Sequence, residues 1–254
     1  AFLGSLANNN FPIGYGSLCL NTTGAYNIAI GTCTARGNTT GIHNINFGAF
    51  TSNMNSTGGY NIGLGSYSLN LNSTSSCNVG LGYKSLYCTL GYGNIGIGVC
   101  AGSCTCGGNY NTIIGTNLTG TQAMSCTLLL GAGGGERIRS DASGCICISS
   151  YAFLGSLANN NFPIGYGSLC NNTTGTCNIG IGYYSLRANT TGTRNIAIGY
   201  NAGCGNTGGT DNNAFGVGSL QINSTGNFNN SFGSYSLLNN AGGSYNTGLG
   251  SLSL

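Results

Sequence analysis

The sequence has no tryptophan, two prolines, one histidine and only three acidic residues, and charged side chains make up 4% of it. A usual soluble domain carries ~25%, so there is little charge repulsion here to keep copies apart. Glu136, Asp141 and Asp211 do not form pairs at matching positions of neighbouring repeats, and general acid–base chemistry needs a positioned pair. His43 falls in a turn and reads as a solvated surface residue, with no nucleophile placed beside it. The chain is therefore read as a non-enzyme that binds no cofactor. Its six basic residues are scattered, which leaves no electrostatic footprint for nucleic acid. No apolar run approaches the ~18 residues that would insert into a membrane. The glycine-rich GAGGGER at 131–137 lacks the Lys-Ser/Thr ending of a phosphate loop.

What the chain does have is a period. Aligned on a leading Asn, the unit NIAIGxxSLxxNTTGxx restarts at 10, 27, 44, 61, 78, 94, 111, 127, 144, 161, 178, 195, 212, 229 and 246, in steps of 17 with two of 16. The fifth position is Gly in every repeat except at Ile148, and the fourth is always apolar, from Ile13 to Leu249. A fixed short period means that each unit mainly contacts its neighbours. Glycine is abundant, with 48 residues, yet the regular spacing of apolar residues argues for order over a disordered linker.

The first five positions read as a short strand. Two-residue alternation puts Ile28 and Ile30 on one face and Asn27 and Ala29 on the other. The expectation is that Ile28, Ile45 and Ile62 pile up inside, while the small third residues (Ala29, Gly63, Gly80, Gly96) leave a bare outer face for close approach. Gly at the fifth position turns the corner with a positive φ. A second strand is expected through GYGSL, GYKSL and GYYSL, with Leu18, Leu69, Leu86, Leu169, Leu186, Leu220 and Leu237 facing inward. NTTG and NSTG supply a turn in which Gly is expected to be left-handed. Stacked at ~4.8 Å per rung, these coils predict an all-β fold, a parallel β-solenoid (β-roll) with about 17 residues per turn.

Regular turns are expected over 1–115 and 161–254, with an irregular junction at 116–160 that carries Glu136, Arg137, Arg139 and Asp141. Residues 1–19 recur unchanged at 152–170, and the offset of 151 equals a whole number of short repeats. This suggests one continuous rod, a window on a longer repetitive chain.

The repeat over 10–98 and 161–254 resembles the head repeats of trimeric autotransporter adhesins and related repeats of viral and phage tail fibres. The resemblance implies a left-handed parallel β-roll, often trimeric, on an extracellular or virion-surface appendage. Two functions compete. One is a structural fibre or filament subunit whose partner is itself; the other is an adhesin head that binds a host or surface ligand through 116–150. An ice-binding solenoid is a third possibility, but it needs Thr ladders on an outward strand, and Thr22, Thr23, Thr39, Thr40, Thr190 and Thr191 lie in turns.

Thirteen cysteines point to an oxidising, extracellular setting, and their odd number leaves at least one unpaired within the chain. Cys88 and Cys104 share the eleventh position of consecutive turns, so a disulfide is expected between them. A zinc site from Cys88, Cys100, Cys104 and Cys106 is disfavoured, since their spacing is not that of paired CxxC knuckles. Cys145 and Cys147 read as small inward residues. Cys19, Cys170 and Cys204 share the tenth position in non-adjacent turns, which suits contacts between chains. Asn21, Asn38, Asn55, Asn72, Asn117, Asn171, Asn172, Asn189, Asn223 and Asn229 each begin a glycosylation sequon, although glycans one rung apart would crowd each other.

Overall fold

The computed structural model describes residues 9–105, 107–120, 124–133, 135–140, 146–148 and 160–254. The chain divides into two compact units, Ala1–Glu136 and Arg137–Leu254. Both are parallel β-solenoids, and the described residues contain no helix.

In the first unit the strands are β1 (Phe11–Ile13), β2 (Ile28–Ile30), β3 (Ile45–Phe47), β4 (Ile62–Leu64), β5 (Val79–Leu81), β6 (Ile95–Ile97), β7 (Thr112–Ile114) and β8 (Leu128–Ala132). Each pairs parallel with the next, in a register that matches repeat position to repeat position, as in Ile28↔Ile45↔Ile62↔Val79↔Ile95. β9 (Gly135–Ser140) contains the division between the units. In the second unit β10 (Ile146–Ile148) runs antiparallel to β9, with Cys147 opposite Arg139. From there β11 (Phe162–Ile164), β12 (Ile179–Ile181), β13 (Ile196–Ile198), β14 (Asn213–Phe215), β15 (Asn230–Phe232) and β16 (Thr247–Leu249) stack parallel. Ile148 pairs with Ile164, so Ile148 is a fourth-position residue and Cys147 a third-position one, a residue out of step with the repeat counted from 144.

The strand faces are the reverse of the expectation. Ile28, Ile45 and Ile62 do stack in a row, but on the outer face and only half buried; the enclosed residues are Ala29, Asn46, Gly63 and Gly80 at the third position. Alternation fixes which residues share a face but not which face is inside. Space decides that: against an inward Leu of the regular rungs there is room for only a small third-position residue. A Cβ on Gly96 would stand 2.7 Å from Leu86 Cγ and 3.0 Å from the Ala101 carbonyl oxygen. The inward Leu column (Leu18, Leu69, Leu86, Leu169, Leu220) therefore faces small residues, and it is fully enclosed.

The expected second strand does not form. The segments through SL are successive turns, because the inward Leu residues are left-handed, with φ of 49° at Leu18, 52° at Leu69 and 46° at Leu86. Such a φ is incompatible with an extended strand. Rung-to-rung hydrogen bonds continue nonetheless, from Leu69 N–H to Ser85 O at 3.0 Å and from Leu86 N–H to Ala101 O at 2.8 Å. These bonds hold Leu in a conformation that costs roughly 1–2 kcal/mol per residue.

Glycine serves two different purposes. At the fifth position Gly31 has a φ of +133°, and its missing Cβ would lie 2.7 Å from the Gly48 carbonyl oxygen, so both conformation and contact demand glycine. The Gly of NTTG is not left-handed. Gly41 is there because Asn38 Oδ1, Gly58 O and Asn44 Nδ2 crowd the place a Cβ would take.

Candidate functional site

Two asparagine columns close the interior. At the first position each amide spans two rungs: Asn44 Nδ2 donates to Gly58 O at 2.9 Å, and its Oδ1 accepts the Asn61 backbone N–H at 3.0 Å. At the twelfth position Asn38 Nδ2 donates to Asn21 Oδ1 at 2.7 Å and to Gly41 O at 3.1 Å. In the second unit Asn189 bonds Asn172 Oδ1 and Gly192 O in the same way. These ladders satisfy the turn carbonyls and strand amides that enclosure would otherwise leave unpaired.

The ladders settle the fate of the sequons. Asn21, Asn38, Asn55, Asn72, Asn172, Asn189, Asn223 and Asn229 are all buried, with their amides committed to hydrogen bonds, so the folded chain has no room for a glycan there. Asn117 and Asn171 are exposed. Expression through a eukaryotic secretory route is expected to place glycans on Asn117 and Asn171 alone. Glycopeptide mass spectrometry that finds Asn38 or Asn189 occupied in folded protein would refute this.

The turn threonines are also committed. Thr22 and Thr39 hydroxyls donate to the next rung, at 2.9 Å to Thr39 O and 3.0 Å to Ser56 O, and Thr190 does so to Thr207 O at 3.0 Å.

Cys88 is disulfide-bonded, but Cys104 is an exposed free thiol, so the expected Cys88–Cys104 bond is absent. Like positions on adjacent rungs carry parallel Cα–Cβ vectors, and a disulfide needs converging ones, with Cβ atoms ~3.5–4.5 Å apart. The Cys104 thiol instead lies 3.9 Å from Ser103 Oγ. Cys106 and Cys145 lie outside the described residues, and Cys147 is buried at the start of the second unit's core cluster. Cys19, Cys170 and Cys204 are half-buried free thiols. Burial pushes the Cys170 and Cys204 thiols up, against the pull of the Arg187 guanidinium on the rung between them, and so lowers their thiolate fraction.

Of the acidic residues, Asp211 forms a bidentate pair with Arg194, with N···O distances of 2.7 Å to each oxygen. The hydrogen bonds from Arg194 hold its carboxyl below the usual carboxylate range. Asp141 and the Glu136 side chain lie outside the described residues. His43 is exposed and sandwiched between Tyr26 and Tyr60, with ring centroids 4.8 and 5.0 Å away.

Such aromatic columns were missed by reading the motif position by position. Their signal is the same 17-residue spacing, as in Tyr26, His43 and Tyr60 or Tyr166, Tyr183 and Tyr200. These residues vary in chemistry, so they never became part of the motif.

An extended apolar surface lies on the outer strand face. In the first unit it carries Ile28 and Ile30, Ile45 and Phe47, Ile62 and Leu64, then Val79 and Leu81, Ile95 and Ile97, two apolar ladders side by side. Phe47, Leu64, Ile97 and Ile114 each remain more than a third exposed. With strands ~4.8 Å apart, eight strands make a strip about 34 Å long and about 10 Å wide, apolar except at Thr112 on β7. Its area of roughly 340 Å² is that of the largest apolar patch on a typical monomer, which is often an interaction site. No described residue of this face carries a charge.

Compared with known proteins, the chain matches no family model, no curated protein and no solved structure.

Proposed function

We propose that this protein is a structural subunit of an extracellular or virion-surface fibre, and that it associates with copies of itself through the Ile, Leu and Phe face of its solenoid. The observation that carries this reading is the half-exposed double ladder on β1–β8. Its features repeat at every rung, so full contact requires a partner with the same repeat, and a second copy of this chain has it. Low charge favours the same outcome, because 4% charged residues leave almost nothing to oppose close packing. The likeness of the repeat to adhesin heads and tail fibres agrees with an appendage.

The test is the association state of the purified chain. Sedimentation of wild type is expected to show oligomers at micromolar concentration, and Leu64→Asp together with Ile97→Asp is expected to leave single chains with an unchanged circular dichroism spectrum. A double variant that still assembles would sink the proposal. A wild type that stays single at every concentration yet binds a surface ligand would favour the adhesin reading, for which the antiparallel β9–β10 pair supplies a break in the parallel stacking.

A further inference from the structure

Among the ring contacts of the described residues, one face-to-face stack of three rings consists of phenols alone. Tyr166, Tyr183 and Tyr200 occupy the same position on three successive rungs and stack face to face, with centroids 5.5 and 5.3 Å apart and planes inclined by 16° and 4°. Tyr184 leans on Tyr183 at 4.2 Å. Each ring of the stack is close to half exposed, so a small oxidant reaches it and the ring keeps freedom to turn. The other stacks interrupt the phenols with a different ring, as in Tyr26–His43–Tyr60 and Phe228–Tyr245. Tyr92 and Tyr110 meet edge to face, at 83°.

We infer that Tyr183, with Tyr166 and Tyr200, is a site of oxidative tyrosine coupling that joins adjacent rungs covalently. Each of two phenols gives up one electron and one proton to form a phenoxyl radical. The radicals join through the carbons ortho to their oxygens, and the two ring hydrogens then move to the oxygens to restore both phenols. The oxidant is hydrogen peroxide acting through a haem peroxidase, and it is reduced to two waters as two hydrogen atoms leave the protein. Coupling needs two radicals at close range, and the solenoid supplies this by holding like residues one rung apart.

Two neighbours direct the chemistry to Tyr183. The adjoining Tyr184 phenol raises the Tyr183 pKa above the ordinary tyrosine value, so Tyr183 stays protonated until an electron leaves. The Arg187 guanidinium sits 4.9 Å over the Tyr184 ring, where its positive charge opposes oxidation of that ring. Tyr183, the central member, is the one phenol of the stack with a partner ring on either side. The site is separate from the apolar strand face, so a chain that fails to associate still carries it.

The experiment treats dilute full-length protein with haem peroxidase and hydrogen peroxide, then follows dityrosine fluorescence and maps cross-linked peptides, which are two hydrogen masses lighter than their sum. Links are expected between Tyr183 and Tyr166 or Tyr200, within single chains. Even a millimolar effective concentration favours them over links between micromolar chains by about 1000-fold, so the yield per chain should survive about tenfold dilution. Tyr183→Phe, which keeps the ring and the stack, is expected to abolish these links. Equal or greater coupling at Tyr15 or between Tyr92 and Tyr110 would overturn the inference. So would links only between chains, no dityrosine at all, or a yield that Tyr183→Phe leaves unchanged.

Discussion

Replacement of Gly96 by Ile is expected to unfold the rungs around it, while Leu86→Gly in the same chain is expected to restore much of the loss. Gly96 lies under the Leu86 side chain, and its absent Cβ would be 2.7 Å from Leu86 Cγ and 3.1 Å from Leu86 Cδ2. Overpacking of this kind costs ~1–3 kcal/mol, and more where the obstacle is backbone, as it also is here at Ala101 O. Leu86→Gly alone opens a cavity and should cost ~2–5 kcal/mol, offset in part because φ at Leu86 is 46°, a value glycine adopts freely. The double variant recreates an arrangement already present one rung on, where Gly102 lies beside Ile113 and a Cβ on it would be 3.0 Å from Ile113 Cδ1. Denaturation of the two single variants and the double is expected to give a favourable coupling of about 1–3 kcal/mol. Additive losses would show that the interior does not trade volume between adjacent rungs.

Asn61→Leu, which keeps the branching at Cγ but removes the amide, is expected to cost about 2–4 kcal/mol, because it deletes buried hydrogen bonds on two rungs and leaves the Asn78 backbone N–H unpaired. Asn61 Nδ2 donates to Ser75 O at 2.9 Å and to Asn44 Oδ1 at 3.1 Å, and its Oδ1 accepts the Asn78 backbone N–H at 3.0 Å. Ser75 O keeps Asn72 Nδ2 and Asn44 Oδ1 keeps the Asn61 backbone N–H, but the enclosed Asn78 N–H has neither another partner nor water. Exchange of the Asn78 amide hydrogen should speed up with the loss of stability, which locates the damage at that rung. Asn171→Ala, at an exposed position, is the control and should stay within about 0.5 kcal/mol of wild type. Equal losses in the two variants would mean that the ladder is not what holds the rungs.

The same asparagines show how far sequence reading reaches. Asn27, Asn44 and Asn61 stand in line because the period puts them there. That the ladder is interior depended on where Gly41 and Gly58 bring the turn carbonyls, which a motif does not encode. The sequons at Asn38 and Asn189 looked accessible because Asn-Thr-Thr is turn chemistry, yet each turn folds its Asn inward and leaves Thr at the surface. Cys88 and Cys104 shared a position but not a bond, since matched register aligns Cα atoms and leaves the Cβ vectors parallel. The apolar strand face was read as core because Ile normally is core; in a coil this narrow, Leu86 and its equivalents fill the space first.

The sequence by itself determined the period, the glycine corners, the parallel register and the inward leucines, because all of these follow from one residue pattern repeated at a fixed interval. Only the tertiary structure decided which strand face is enclosed, which asparagines water can reach, and which rings of neighbouring rungs meet. Those outcomes depend on the width of the closed coil and on side chains competing for it. Such a competition involves residues of several rungs at once, and no single repeat contains it.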